Sequence, residues 1–247
     1  LWKRAQMMGA SWAEDEATQG TLLQIVDALD RLPLAIELAA VRARILSPTQ
    51  LKEKLEERFQ LLQSGARDQV ERQATLYGLI DWSWRRLSEW EQSALAQLSC
   101  FRGGFSMEAA EAILDVSAWP EAPWSLDVIG SLIEKSLLRY EQIDGVMRLS
   151  MFVSIRAFAE ARLAEDAFPI TGDEVRDKTR ARHAQYFACQ SPVEVSGSFR
   201  VVDPTVRRTL HRNFDNLLVS AKHGAQPQRA LCAIGALEVL MAHGPVA

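Results

Sequence analysis

A mainly α-helical chain carrying one β-hairpin is predicted by three observations. Apolar residues recur at helical spacing in segment after segment, helix-start signatures stand in front of several of them, and an Asp-Gly dipeptide separates two short strand-like runs. The chain has 247 residues and is 48% hydrophobic, enough to bury real cores in one large domain or in two to three small ones.

The first legible helix is Leu22 to Leu29, with Leu22, Ile25, Val26 and Leu29 on one stripe. Pro33 then opens a long alanine- and leucine-rich segment. Proline fits the first turn of a helix, where its missing N–H has no partner to lose, so Pro33 reads as a start and not a break. From Leu34 to Leu46 only Glu37, Arg42 and Arg44 are polar, which predicts a buried helix with a narrow wet strip. Ser47-Pro48-Thr49-Gln50 supplies Ser at the N-cap, Pro at the first helical position and Gln three residues on, a capping box for a helix through Leu55. Ser64 to Asp68 reads as a loop.

A further helix is expected from Arg72 to Leu87, striped by Leu76, Leu79, Ile80, Trp84 and Leu87. Ser88-Glu89-Trp90-Glu91 is a second capping box, and Gly103-Gly104 closes its helix. Ser106 caps a short helix, Met107 to Leu114, and another runs from Leu126 to Lys135 after the Pro120 and Pro123 loop. Leu137 to Tyr140, a turn at Asp144-Gly145, and Val146 to Leu149 form the hairpin, the dipeptide supplying the positive-φ residues of a tight turn. Three helices followed by a hairpin is the order of a winged helix. Phe152 to Leu163 then forms a helix with Phe152, Ile155, Ala159 and Leu163 on one face. Residues 164 to 177 read as a linker or exposed turn, followed by helices at Thr179 to Cys189, Asp203 to Lys222 and Pro227 to His243. The last two are joined by His223-Gly224-Ala225-Gln226, a single helix pair that sets no repeat period.

Several segments together resemble one family. They are Arg31-Leu32-Pro33-Leu34-Ala35-Ile36-Glu37-Leu38-Ala39-Ala40, Leu46-Ser47-Pro48 with Leu51, Ile80-Asp81-Trp82-Ser83-Trp84, Phe101-Arg102-Gly103-Gly104-Phe105, Ser136-Leu137-Leu138, and Ile155-Arg156-Ala157-Phe158-Ala159. In this order they resemble the C-terminal regulatory portion of STAND-class, NB-ARC-like signalling ATPases of the type found in large bacterial transcriptional regulators. The resemblance implies a helical lid domain over residues 1–70, a winged-helix domain over 71–165 and the start of a TPR-like helical region over 166–247. It also implies that Pro33 lies against a bound adenine nucleotide, ADP or ATP, in an intact parent protein. Arg31 replaces the glycine of the family's turn, which limits backbone choice there. Met151-Phe152-Val153 stands where many members have Met-His-Asp, and a phenylalanine donates no hydrogen bond to phosphate.

Composition narrows the chemistry. No GxxxxGK[ST] sequence occurs, so the chain offers no phosphate cradle of its own and is expected not to be an enzyme, with no cofactor held by this chain alone. His183, His211, His223 and His243 share no i, i+4 pair, and with no closely placed Cys/His cluster each is expected to be a surface histidine. Cys100, Cys189 and Cys232 are far apart and odd in number, which fits a reducing cytoplasm better than a disulfide framework. No run reaches the roughly 18 apolar residues of a membrane span, and the start lacks a signal-peptide core. Beginning without methionine, the chain is expected to be excised from a longer polypeptide.

The chain has 28 basic and 32 acidic residues, a net charge of −4. From Ser88 to Ser150 there are four basic residues (Arg102, Lys135, Arg139, Arg148) against ten acidic ones, the wrong sign for phosphate neutralisation. The helix in the recognition position, Leu126 to Lys135, has no arginine for bidentate readout of guanine. The basic run Arg176, Lys178, Arg180, Arg182 alternates with acids and reads as a solvated face, and Trp82, Trp84 and Trp90 as packing residues. Three functions are compatible with these features. The leading one is a non-catalytic segment that relays the nucleotide state of an upstream core, its partner in the same polypeptide, to C-terminal helices. The alternatives are a winged-helix DNA-binding module of a transcription regulator, which the charge argues against, and a helical scaffold that holds a protein partner.

Overall fold

Proline and serine start the helices where their chemistry allows. The computed structural model describes residues 1–7, 9–12, 15–29, 31, 33–62, 69–143, 145–190, 204–223 and 228–242. These residues are mainly α-helical with one small antiparallel sheet, and they divide into two compact units, Leu1–Leu87 with Glu134–Ser136, and Ser88–Ile133 with Leu137–Ala247.

The first unit holds α1 (Trp2–Met7), α2 (Glu16–Ala28), α3 (Pro33–Arg42), α4 (Pro48–Leu62) and α5 (Gln69–Trp84). Pro33 is the first residue of α3 as its ring predicts, and Leu34, Ala35, Leu38, Ala39 and Ala40 are buried. The Ser47 capping box is made in full. The Ser47 N–H donates to Gln50 Oε1 at 3.0 Å and the Gln50 N–H to Ser47 Oγ at 3.2 Å. α3 stops at Arg42 and not at Leu46. The chain must leave the helix there because Ser47 precedes a proline and serves as an N-cap, two demands for extended backbone. Arg42 also departs from the expected wet strip. Its side chain is buried, donates to Ser83 Oγ at 3.2 Å, and lies over the Trp82 ring at 5.2 Å. Trp82 and Trp84 are both buried. The expected loop Ser64 to Asp68 lies outside the described residues, as do Asp30 and Leu32 beside Pro33.

The second unit begins with α6 (Glu89–Leu98), α7 (Met107–Ile113) and α8 (Ser125–Glu134). Glu91, in α6, accepts from the Ser88 N–H at 2.9 Å, and Ser106 accepts from Ala109 N–H at 3.2 Å. Ser136, with φ 57°, ends α8, and the Leu137 N–H reaches back to the Leu132 carbonyl at 2.9 Å, the long bond of a Schellman closure. The hairpin β1 (Arg139–Ile143) and β2 (Val146–Ser150) pairs Ile143 with Val146 and Arg139 with Ser150. Gly145 takes φ 75° at the turn, while Asp144 is outside the described residues. An isolated antiparallel bridge, Phe105 with Leu149, lays the residues before α7 against β2.

α9 (Val153–Leu163) packs on α6, and α10 (Asp173–Ala188) on α7, α6 and α9. Thus α10 begins earlier than Thr179, and Thr171 in the preceding turn is buried. The single helix expected from Asp203 to Lys222 is two, α11 (Pro204–Arg212) and α12 (Phe214–His223). Asn213 breaks it. Its N–H is shared between the Thr209 and Leu210 carbonyls, each at 3.1 Å, and its side chain is drawn into tertiary bonds. α13 (Gln228–Ala242) packs on α12, α10 and α11, and the turn at residues 224–227 is outside the described residues.

The core of this unit centres on an aromatic cluster. The Phe101 and Phe105 rings stack with centroids 4.0 Å apart, and Phe187 meets Phe101 edge-on at 6.2 Å.

Candidate functional site

The sequence singles out two places. In the first, Pro33 is exposed at the head of α3. Arg31, where the resemblance calls for glycine, adopts φ 56°, the left-handed conformation that glycine takes at least cost. Its N–H closes on the Val26 carbonyl at 3.1 Å, and its guanidinium pairs with Asp27 at 2.9 Å. Arg31 itself therefore has the backbone conformation a glycine would give, with its side chain directed to a neighbour on α2.

The second place is the α6–α7–α8–hairpin body. Val128, Ile129 and Leu132 bury one side of α8. Leu126, Asp127 and Glu134 are exposed, and the Ser131 hydroxyl is spent on Glu91 Oε1 at 2.6 Å. The four basic residues of this body are largely committed. Arg148 is buried, and its guanidinium donates to the Gly104 carbonyl, to the Arg212 carbonyl at 3.2 Å and to Asn213 Oδ1 at 3.1 Å. Arg102 forms a two-pronged bond to Glu160 at 2.8 and 2.9 Å. Arg139 lies over the Phe152 ring at 4.2 Å and pairs with Glu141 at 3.3 Å. Phe152 caps α9 half-buried beneath that guanidinium. Four apolar side chains, Tyr140, Ile143, Val146 and Met147, are exposed on the hairpin.

A polar network behind the hairpin was not anticipated from sequence. The Arg102 N–H donates to Asn216 Oδ1 at 2.8 Å, and Asn216 Nδ2 donates to the Gly104 carbonyl at 3.2 Å. Asn216 Oδ1 is also 3.4 Å from His183 Nε2, and Ser220 Oγ is 2.9 Å from His183 Nδ1. An amide oxygen only accepts, so Nε2 carries the proton and Nδ1 accepts from the Ser220 hydroxyl. This satisfies a neutral imidazole completely. His183 is 2% exposed, not the expected surface histidine, and burial lowers its pKa to about 4, partly opposed by the Asn216 bond. The only sequence signal for this burial is that His183, Ala184 and Phe187 share one face of α10.

The expected solvated face of α10 is likewise divided. Arg176 and Lys178 pair with acids on their own helix, but Arg182 turns inward. It donates to the Ile113 carbonyl at 2.7 Å and to Gln97 Oε1 at 2.9 Å, which joins α10 to α6 and to the end of α7. Burial raises the thiols of Cys100 to about 12 and Cys232 to about 11, so neither is a thiolate near neutrality. Among the described residues, no group of three His, Cys, Asp or Glu side chains could hold a metal ion, and no helix is long and apolar enough to cross a membrane.

The geometry thus defines a helical chain with a helix–helix–helix–hairpin body, and comparison with known proteins adds a class of relative. A protein of Mycobacterium tuberculosis named "Putative HTH-type transcriptional regulator" is 36% identical over 165 residues, which is 66% of this chain and 18% of the relative. A Mycobacterium bovis protein of the same name matches equally. A second Mycobacterium tuberculosis protein, named only as uncharacterized, is 32% identical over 162 residues, 66% of this chain and 41% of the relative. The match spans less than a fifth of the regulators' length, and their name does not say which part holds the helix-turn-helix. No family model matches the chain, and no solved structure does.

Proposed function

We propose that this chain is a segment of a transcription regulator, and that its helix–hairpin body is a regulatory element that does not read base edges. The names of the relatives support a transcription regulator over a signalling ATPase. The observation that carries the regulatory role is the exposed face of α8, which presents Leu126, Asp127 and Glu134 where a recognition helix needs donors for guanine and adenine. The body around it is acidic, with Arg148 buried and Arg102 and Arg139 held by Glu160 and Glu141. Its partners on this reading are other parts of the same polypeptide and a protein that meets the C-terminal helices. The chain itself performs no chemistry.

Selection of bound duplexes from a random-sequence pool tests the proposal. No enriched motif is expected. An enriched motif that disappears when Asp127, Ser131 and Glu134 are replaced by alanine would overturn it and establish the second reading, a winged-helix DNA-binding module. That reading is favoured by the relatives' names and by the order of α6, α7, α8 and the hairpin. The finer STAND-type reading rests on Pro33 at the head of α3 and on the left-handed turn at Arg31. It expects Pro33→Ala to weaken ADP binding in a parent protein that carries the nucleotide core. Unchanged affinity there removes it.

A further inference from the structure

Charge is unevenly distributed along this chain. From Asp203, the residue before α11, to Arg229 there are five Lys and Arg residues (Arg207, Arg208, Arg212, Lys222, Arg229) and two histidines (His211, His223) against two acids, Asp203 and Asp215. The whole chain, by contrast, has a net charge of −4.

Four of these residues lie on one side of α11. At about 100° per residue, Arg207, His211, Arg208 and Arg212 fall within an arc of roughly 140°. Leu210, which is fully buried, and the half-buried Val206 and Thr209 lie on the other side. Arg207, Arg208 and His211 are exposed, as are Lys222 and His223 at the end of α12 and Arg229 on α13. α11, α12 and α13 pack on one another, so these residues share one body. The His223 imidazole feels positive neighbours. Its pKa lies below the ordinary value, through burial first and then through Arg180, Lys222 and Arg102, with only Glu160 opposing.

We infer that the basic face of α11, built on Arg207, Arg208 and His211, contacts the phosphate backbone of duplex DNA without reading its sequence. This rests on the transcription-regulator reading, which makes duplex DNA the polyanion at hand. The chemistry is that of phosphate neutralisation: cations on a helix face, opposite a buried apolar side, displace counterions from the duplex and contribute affinity that falls steeply with salt. The exposed face of α8 presents Asp127 and Glu134 in place of such cations.

The test is fluorescence anisotropy of a labelled duplex of random sequence, about 30 base pairs long, titrated with the full 247-residue chain. Binding at low salt is expected in the micromolar range, weakening about tenfold when salt is raised threefold, as two to three neutralised phosphates require. The triple variant Arg207→Gln, Arg208→Gln, His211→Gln should lose about tenfold in affinity and flatten the salt slope. The pair Lys135→Gln, Arg139→Gln in the helix–hairpin body should leave both unchanged. Circular dichroism confirms that each variant keeps its helices, and the single variant Arg208→Glu, at an exposed position, repeats the test should the triple variant unfold. Absence of low-salt binding by the wild-type chain overturns the inference and leaves the regulatory reading standing. Loss confined to the Lys135 and Arg139 variant overturns both.

Discussion

His183 makes the stability of the second unit depend on pH in a calculable way. In the unfolded chain its imidazole titrates at the ordinary 6.5, whereas burial in the fold lowers this to about 4. Between those values the unfolded chain binds a proton that the folded chain does not, so stability falls as the pH is lowered through this window. The full difference of about 2.5 units is about 3 kcal/mol, and from pH 7 to pH 5 the loss attributable to His183 is about 2 kcal/mol. Glutamine at this position keeps a donor for Asn216 and an acceptor for Ser220 without the titration. Urea unfolding followed by tryptophan fluorescence, at about pH 7 and about pH 5, gives the stability of the wild-type chain and of His183→Gln. Every other ionisable group is common to both proteins and cancels in the comparison. Wild type is expected to lose about 2 kcal/mol more than the variant. Equal losses would show that His183 takes up its proton within the fold, and the argument from burial would be wrong.

Other perturbations follow from local geometry. Ser136→Gly should raise stability by about 1 kcal/mol, since a left-handed residue that carries a Cβ is strained; no gain in thermal unfolding would contradict the Schellman closure of α8. Arg148→Met should cost about 3 kcal/mol in urea unfolding because it takes the guanidinium donor from the Arg212 carbonyl and Asn213 Oδ1 and leaves the Gly104 carbonyl with its bond from Asn216; a loss below about 1 kcal/mol would mean that these bonds are readily replaced by water. Ser47→Ala should cost about 1 kcal/mol by removing half of the α4 capping box, with hydrogen exchange at the Gln50 amide speeding up in step; an unchanged exchange rate would count against the cap.

The legible parts of the fold were those decided within a few residues. Pro33, Ser47, Ser88 and Ser106 each mark a helix start because capping and ring constraints act over one turn, and Gly145 marks the hairpin for the same reason. Arg42, Arg182 and His183 depart from their expected surface positions because their partners are far off in sequence, 41 positions for Arg42 (Ser83), 69 for Arg182 (Ile113), and 33 and 37 for His183 (Asn216 and Ser220). No local pattern encodes such partners. The break at Asn213 is hidden similarly: helical spacing continues through it, while its side chain meets Arg148 and Gln190 from other parts of the chain. Of the candidate site, the acidity of the α8 body could be counted directly. The basic face of α11 is also visible in the sequence, as Arg207, Arg208 and His211 opposite Leu210 at helical spacing.

The bond from Arg102 to Asn216 joins residues 114 positions apart. A ribosome adds about 5 to 20 residues per second, so Asn216 leaves it on the order of ten seconds after Arg102. During that interval the hairpin can pair and α8 can cover its apolar side, but Arg148 has no Asn213 to meet and Phe101 has no His183 or Phe187 to pack against. The helix–hairpin body therefore emerges well before α10 to α12 and is completed only with them, which makes this part of the nascent chain dependent on the helices that follow it and gives anything that holds those helices during synthesis control over when the body becomes native.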